Sequence, residues 1–311
     1  MKLLQNKIAE NGMTLPVTIC FALAVWVVGG LIEGHWWAQL LCFIASTALI
    51  GELSNNNALI RVRSRMVSCA FLALSSTICF LFDSLLGGIV QLCFIASCLL
   101  IFRSYQDKQA VGWTFYAFLC IGLASVAYVQ ILYFLPFLWL LMAFNLLSLS
   151  WRTWIASLLG LMLPYWFLCP YCIYTESFTL LANHFAALTD VELLTSYEQL
   201  TISQVLVYVL IVVLSTIGSL HFWRYSYEDK IRIRQLYSYF MTLNALSLTM
   251  LALSPQHYDI LIRIAIVNTS PIIAHFLTLT HSRITNIAFF VITGIVVLIT
   301  AFNLWMPSLT F

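Results

Sequence analysis

Of 311 residues, 62% are hydrophobic and only 8% charged, and the mean hydropathy is +0.96. Soluble domains carry roughly 25% charged residues, so a water-soluble globular protein is excluded. Apolar runs recur from Leu15 to Trp305 with no Gly/Ser/Pro linker, internal repeat or low-complexity tract, which reads as one integral domain over 1–311.

At roughly 17 to 22 apolar residues per crossing, the chain predicts about eleven membrane spans. They fall near 14–32, 36–53, 66–82, 86–103, 111–128, 130–147, 153–174, 203–222, 237–253, 258–279 and 285–305. Backbone groups in hydrocarbon must be satisfied within the segment, so these are helices, and the expected fold class is an all-α polytopic bundle. Lys2 and Lys7 precede a stretch from Leu15 to Ile32 that is too long for a signal h-region. No small-residue cleavage pattern precedes Glu33, so it reads as an uncleaved first span.

Glu33 and His35 stand at the outer end of that span, ahead of Trp36 and Trp37. A carboxylate and an imidazole that close are candidates for acid and base catalysis; the same residues also suit a polar hairpin tip with interfacial tryptophans. Further on, Arg61 to Arg65 (RVRSR) is a basic run suited to anionic headgroups.

Near the end of the seventh span, Cys169-Pro170-Tyr171-Cys172 matches the CPYC sequence of glutaredoxins over four residues and marks a candidate redox pair. Membrane thiol oxidoreductases need a second exchangeable pair, and the segment Thr175 to Ser203 contains no cysteine. In that segment Phe178, Leu181, Phe185 and Leu188 recur at helical spacing, which predicts an amphipathic helix in an external loop over 175–202, either covering the bundle or closing a lateral site. A second basic run, Arg224 to Arg234 (RYSYEDKIRIR), follows the eighth span.

The tenth span is the richest in polar groups. His257, Tyr258 and Asp259 open it, Arg263 lies one turn in, and Asn268-Thr269-Ser270-Pro271 falls near mid-bilayer. Proline removes a backbone donor and clashes with the preceding turn, which predicts a kink or break there. Broken helices with polar residues at the midplane mark binding sites in transporters. Arg263, Asp259, His257, Asn268 and Ser270 are therefore the candidate substrate-binding set. Asp259 and Arg263 also suit an i,i+4 ion pair, and a lone external arginine suits a phosphate or carboxylate.

With the N-terminus inside and the C-terminus outside, every Lys and Arg except Arg263 falls on the cytoplasmic side, as the positive-inside rule requires. The outer side collects Glu33, Asp83, Glu176, Asp190, Glu192, Glu198 and Asp259. The six histidines are scattered without metal-ligand spacing and glycine-rich phosphate loops are missing, so no metal and no cofactor is expected.

Three stretches carry a family resemblance: Asn55-Asn56-Asn57 followed by LIRVRSRM; IASCLLIFRSYQDKQAVGWTFYAFLCIGLASVAYV leading to SWRTWIASLLGLMLPYW; and IAIVNTSPIIAHF. Over about two thirds of its length the chain resembles an uncharacterised family of polytopic inner-membrane proteins of Bacteroidota-type bacteria. The resemblance implies a multi-pass protein of the bacterial inner membrane and the cell envelope, and supplies no activity. The leading expectation is handling of a lipid-linked or other amphiphilic envelope precursor at the outer leaflet, as a glycosyltransferase-like enzyme or a flippase. The alternatives are a non-catalytic subunit of a larger membrane complex and a small-solute transporter. Expected partners are membrane lipids, a lipid-linked glycan or other complex subunits, and not nucleic acid.

Overall fold

The computed structural model describes residues 3–175, 178–188, 200–280 and 282–305. The described residues are all-helical, with thirteen α-helices and short 3-10 turns: α1 (Leu4–Glu10), α2 (Thr14–Val28), α3 (Trp37–Asn57), α4 (Met66–Ser76), α5 (Leu85–Arg103), α6 (Val111–Ala127), α7 (Leu135–Phe144), α8 (Trp151–Tyr174), α9 (Phe178–Ala186), α10 (Ile202–Tyr225), α11 (Ile231–Leu253), α12 (Tyr258–Leu279) and α13 (Arg283–Trp305). Seven of these, α3, α5, α8 and α10 to α13, are long and apolar enough to cross a membrane. An eighth is reached if α1 and α2, bent by 84° at their junction, count as one span.

The remaining expected spans are occupied by shorter apolar helices, for local reasons. In the third, Ser76 and Thr77 donate their hydroxyls back to the carbonyls of Leu72 and Leu74. Side chains that compete for backbone acceptors favour a helix end, and α4 gives way to a 3-10 turn at Cys79–Leu81. In the sixth, Pro136 sits in the first turn of α7, where a missing N–H costs nothing. The residues before it, Val129–Phe134, form 3-10 turns. The fifth is met by α6, 17 residues long.

The chain divides into two compact units, Met1–Leu85 with Ser196–Phe311, and Leu86–Thr195. In the first, α12 is the axis: α4, α10 and α11 pack around it, and 94% of its most apolar stretch is buried. Arg263, Asn268, Thr269, Ser270 and His275 are buried with it. At Gly218 of α10 an added Cβ would stand 2.9 Å from the Ile272 carbonyl oxygen, so the absent side chain is what lets α10 lie against α12. Of the kink or break expected at Pro271, the break does not occur, since α12 runs unbroken from Tyr258 to Leu279. Neighbours on every side hold the proline turn in helical form, and the Ser270 hydroxyl donates to the Ile266 carbonyl beside it.

Hydrogen bonds gather the connecting segments of this unit at two ends. At one end Ser64 donates to the Ala9 carbonyl, Arg61 pairs with Glu228, and Arg232 donates to Asn57. There too the Gln5 and Asn6 side-chain amides donate to the last carbonyls of α12 and to Thr280, satisfying acceptors that every helix end leaves open. At the other end Gln39 donates to the Asp83 carbonyl and Ser84 to Asp259.

In the second unit α6 and α8 form the closest pair. A Cβ on Gly160 would meet the Phe115 carbonyl oxygen at 2.3 Å, and one on Gly122 the Leu161 carbonyl oxygen at 2.7 Å, so glycines on both helices permit the contact. The helix expected from Phe178, Leu181, Phe185 and Leu188 is α9. It is tied down by His184, whose ring nitrogen stands 2.9 Å from the Ser125 carbonyl, and by the Tyr133 hydroxyl, which donates to the Leu188 carbonyl. The candidate external acids Glu176, Asp190, Glu192 and Glu198 lie outside the described residues.

Candidate functional site

The candidate binding set of the tenth span divides into separate places. Arg263 is buried, and its guanidinium donates to Asp259 at 2.7 Å and to the Leu81 carbonyl. Asp259 in turn accepts from Ser84, which closes the group on itself. His257 stands beside Gln256 in the 3-10 turn before α12. Asn268 is about 7.5 Å further along the helix axis than Arg263, fully buried, with neither amide atom hydrogen-bonded among the described residues. Thr269 donates to Asn244 of α11, and Ser270 only to its own helix. The i,i+4 ion pair is thus formed, and the five residues do not converge on one site.

Glu33 and His35 are both exposed in the turn between α2 and α3. His35 takes a left-handed conformation, φ 52°, and the Trp36 ring folds so close over Gly34 that a Cβ there would lie 2.4 Å from it. The turn is shaped to seat the tryptophan. Cys169 and Cys172 are free thiols near the C-terminal end of continuous helix α8, the second of them buried. A reactive thiol needs the positive field of a helix N-terminus or a neighbouring cation, and the end they occupy carries the opposite partial charge.

The side chains that do converge lie at the basic end of the first unit. Between α2, α3 and α4 runs an apolar groove of about 540 Å³, whose walls include Ile19, Leu23, Phe43, Ile44 and Leu72. Its far end turns polar at Glu52, Asn55, Asn56 and Ser68. There it shares Ser54, Asn55, Ser64 and Arg65 with a second, polar pocket of about 830 Å³. Arg61, Arg63 and Arg65 line this pocket, with Glu10 the only acid among its lining residues.

The local fold explains the clustering. Helix α3 ends at Ala58, which takes a left-handed conformation, φ 46°, while the Leu59 N–H returns to the Ser54 carbonyl. A non-glycine residue held in that region costs of order 1 kcal/mol and persists where surrounding structure enforces it. The reversal turns the chain sharply enough to bring the arginine run back across the end of α3. Arg61, Arg63 and Arg65 all fall between this reversal and the start of α4, so one short segment supplies all three to the pocket.

Arg61 also reaches away from the pocket. Its Nη1 stands 2.7 Å from Glu228 and its Nε 3.1 Å from Asp229, both in the turn between α10 and α11. Asp229 is buried and accepts from His275 Nε2 of α12 at 3.0 Å. Around His275 stand His221, with ring centroids 5.5 Å apart, and Tyr237, at 5.0 Å. Among the described residues no partner reaches His275 Nδ1, His221 Nδ1 or the Tyr237 hydroxyl, all buried.

No protein-family model, curated protein or solved structure matches this chain. Function is read from the chemistry of its own residues. An apolar groove of this size can take hydrocarbon and clustered arginines can take phosphate, and here the two pockets share four lining residues. Sequence reasoning found the arginine run and the Asn55-Asn56-Asn57 stretch separately. What it missed was Asp229, His221 and His275, although an acid inside a basic run and an imidazole within an apolar span are each costly enough to ask for a partner.

Proposed function

We propose that this is a multi-pass protein of the bacterial inner membrane that binds an amphiphile with a phosphate-bearing headgroup, taking it from the leaflet on the side of its arginine run. The observation that carries this reading is the groove and basic pocket meeting at Ser54, Asn55, Ser64 and Arg65. Groove residues such as Leu23 and Ile44 are exposed, so an acyl or prenyl chain can enter sideways from the bilayer. The positive-inside rule assigns the pocket's side to the cytoplasm. Outer-leaflet capture by Arg263 is less well supported, because its guanidinium is already occupied by Asp259 and the Leu81 carbonyl.

The test is native mass spectrometry of the detergent-purified protein, followed by titration with phosphatidylglycerol in nanodiscs. Each basic residue at an anionic surface contributes about 1 kcal/mol, so Arg63→Gln with Arg65→Gln is expected to weaken binding about thirtyfold. Ala48→Trp, placed on the exposed groove wall, should displace the chain while leaving protein yield unchanged. Undiminished lipid binding by both variants would sink the reading.

A further inference from the structure

We propose that His275 is a proton-binding site coupled to anion binding in the basic pocket, the link being Arg61 and Asp229. This rests on the reading of that pocket as a phosphate site. Arg61 belongs to both places: it lines the pocket and it pairs with Asp229 at 3.1 Å. Asp229 is a single buried negative charge with two contacts of possible positive charge, the Arg61 guanidinium and the His275 imidazole at 3.0 Å.

An ionised carboxylate only accepts, so His275 Nε2 donates to Asp229 and the second ring nitrogen, Nδ1, is the position that takes the additional proton. With Arg61 in place, Asp229 already has a countercharge and a neutral imidazole suffices. A phosphate in the pocket draws the guanidinium toward itself and leaves Asp229 undercompensated. An unpaired buried charge is costly, and a proton from solvent on His275 restores the balance. The arriving anion and the proton then enter together, and by linkage each promotes the other.

The surroundings of His275 fit this role. From α10 it is faced by His221, from α11 by Tyr237, and from the turn between these helices by Asp229 with Glu228 beyond it. Helices α4 and α1 also pack on α12, and their titratable groups are Cys69, and Lys7 and Glu10. Among all of these Asp229 is the acid in contact with the imidazole, at 3.0 Å.

The experiment is calorimetric titration with dihexanoyl-phosphatidylglycerol in two buffers of different ionisation heat, which counts protons taken up per ligand bound. The phosphodiester stays ionised from pH 5 to 8, so any proton exchanged comes from the protein. Wild type is expected to take up as much as about one proton per ligand. His275→Gln should bind with no uptake, Arg61→Gln should bind more weakly, through Arg63 and Arg65, also with no uptake, and His221→Gln should keep it. Uptake retained by His275→Gln, or lost only in His221→Gln, would overturn the assignment.

Two further arms separate the alternatives. Glycerophosphoglycerol, the same headgroup without chains, should drive equal uptake at higher concentration if the phosphodiester alone is sensed, and none if lodging of the chain is required. If wild type binds neither compound, the pocket reading itself fails. The coupling is then read without ligand from the pH profile of thermal unfolding. Arg61→Gln should change that profile and Arg61→Gln with His275→Gln should cancel the change, while identical profiles would dismiss the coupling as well.

Discussion

A residue three or four positions from its partner on a helix can be paired by counting, and one that is 46 or 167 positions away cannot. Asp259 and Arg263 were legible in the sequence for this reason, and the ion pair forms at 2.7 Å. The contacts of Asp229 with His275 and of Arg61 with Glu228 span those longer separations and depend on how α10, α11 and the end of α3 are brought together. The Asp259–Arg263 pair yields a stability prediction. Arg263→Met leaves Asp259 with Ser84 alone and should lower stability in detergent by about 1–3 kcal/mol, below the full cost of breaking a buried pair because Asp259 is partly solvated. Adding Asp259→Asn should recover part of that loss. Thermal unfolding of the single and double variants measures it, and a double variant weaker than the single would contradict the account.

Helices themselves were largely legible, since eleven apolar runs correspond to helical segments with ends shifted by a few residues. Length was harder to read than position. Thr77 and Pro136 act on backbone hydrogen bonding one turn at a time, whereas hydropathy averages over many residues, so the shortening of α4 and α7 lay below its grain. At Pro271 a break of the helix was overridden by packing on all sides of α12. Glycines give the element-scale prediction. Gly160→Ala forces a Cβ against the backbone of α6 and should cost about 1–3 kcal/mol. Gly294→Ala, with nothing within 4 Å, should be neutral or stabilising by up to about 1 kcal/mol. Melting temperatures of the two variants decide this, and equal effects would refute the close-approach argument.

For the whole molecule, the alternation of charge across the spans is an expectation of the positive-inside rule, and within the first unit the segments that carry Arg61, Glu228 and Arg232 meet at one end. Division into two compact units was not legible, as no linker or change of composition marks Leu86 or Thr195. Sidedness is open to direct measurement. With native cysteines replaced, Glu33→Cys should react with a membrane-impermeant maleimide added to intact spheroplasts, and Arg63→Cys only after lysis. Both positions are exposed, so reaction depends on side rather than burial. Reaction of Arg63→Cys in intact spheroplasts would overturn the assignment of the basic pocket to the cytoplasm, and reaction of Glu33→Cys only after lysis would overturn the crossing between them.

The N-terminal helix adds a constraint on synthesis. Gln5 and Asn6 close carbonyls that lie 272 positions later in the chain, so α1 must wait for its partner until the helices that lie between it and the end of α12 have been made. Until α12 arrives, the other helices of its unit surround a vacant axis, and the waiting amphiphilic segment has only the membrane surface to rest on. Assembly of this unit is therefore expected to include a late-closing latch, in which α1, made before α12, folds over the end of that helix.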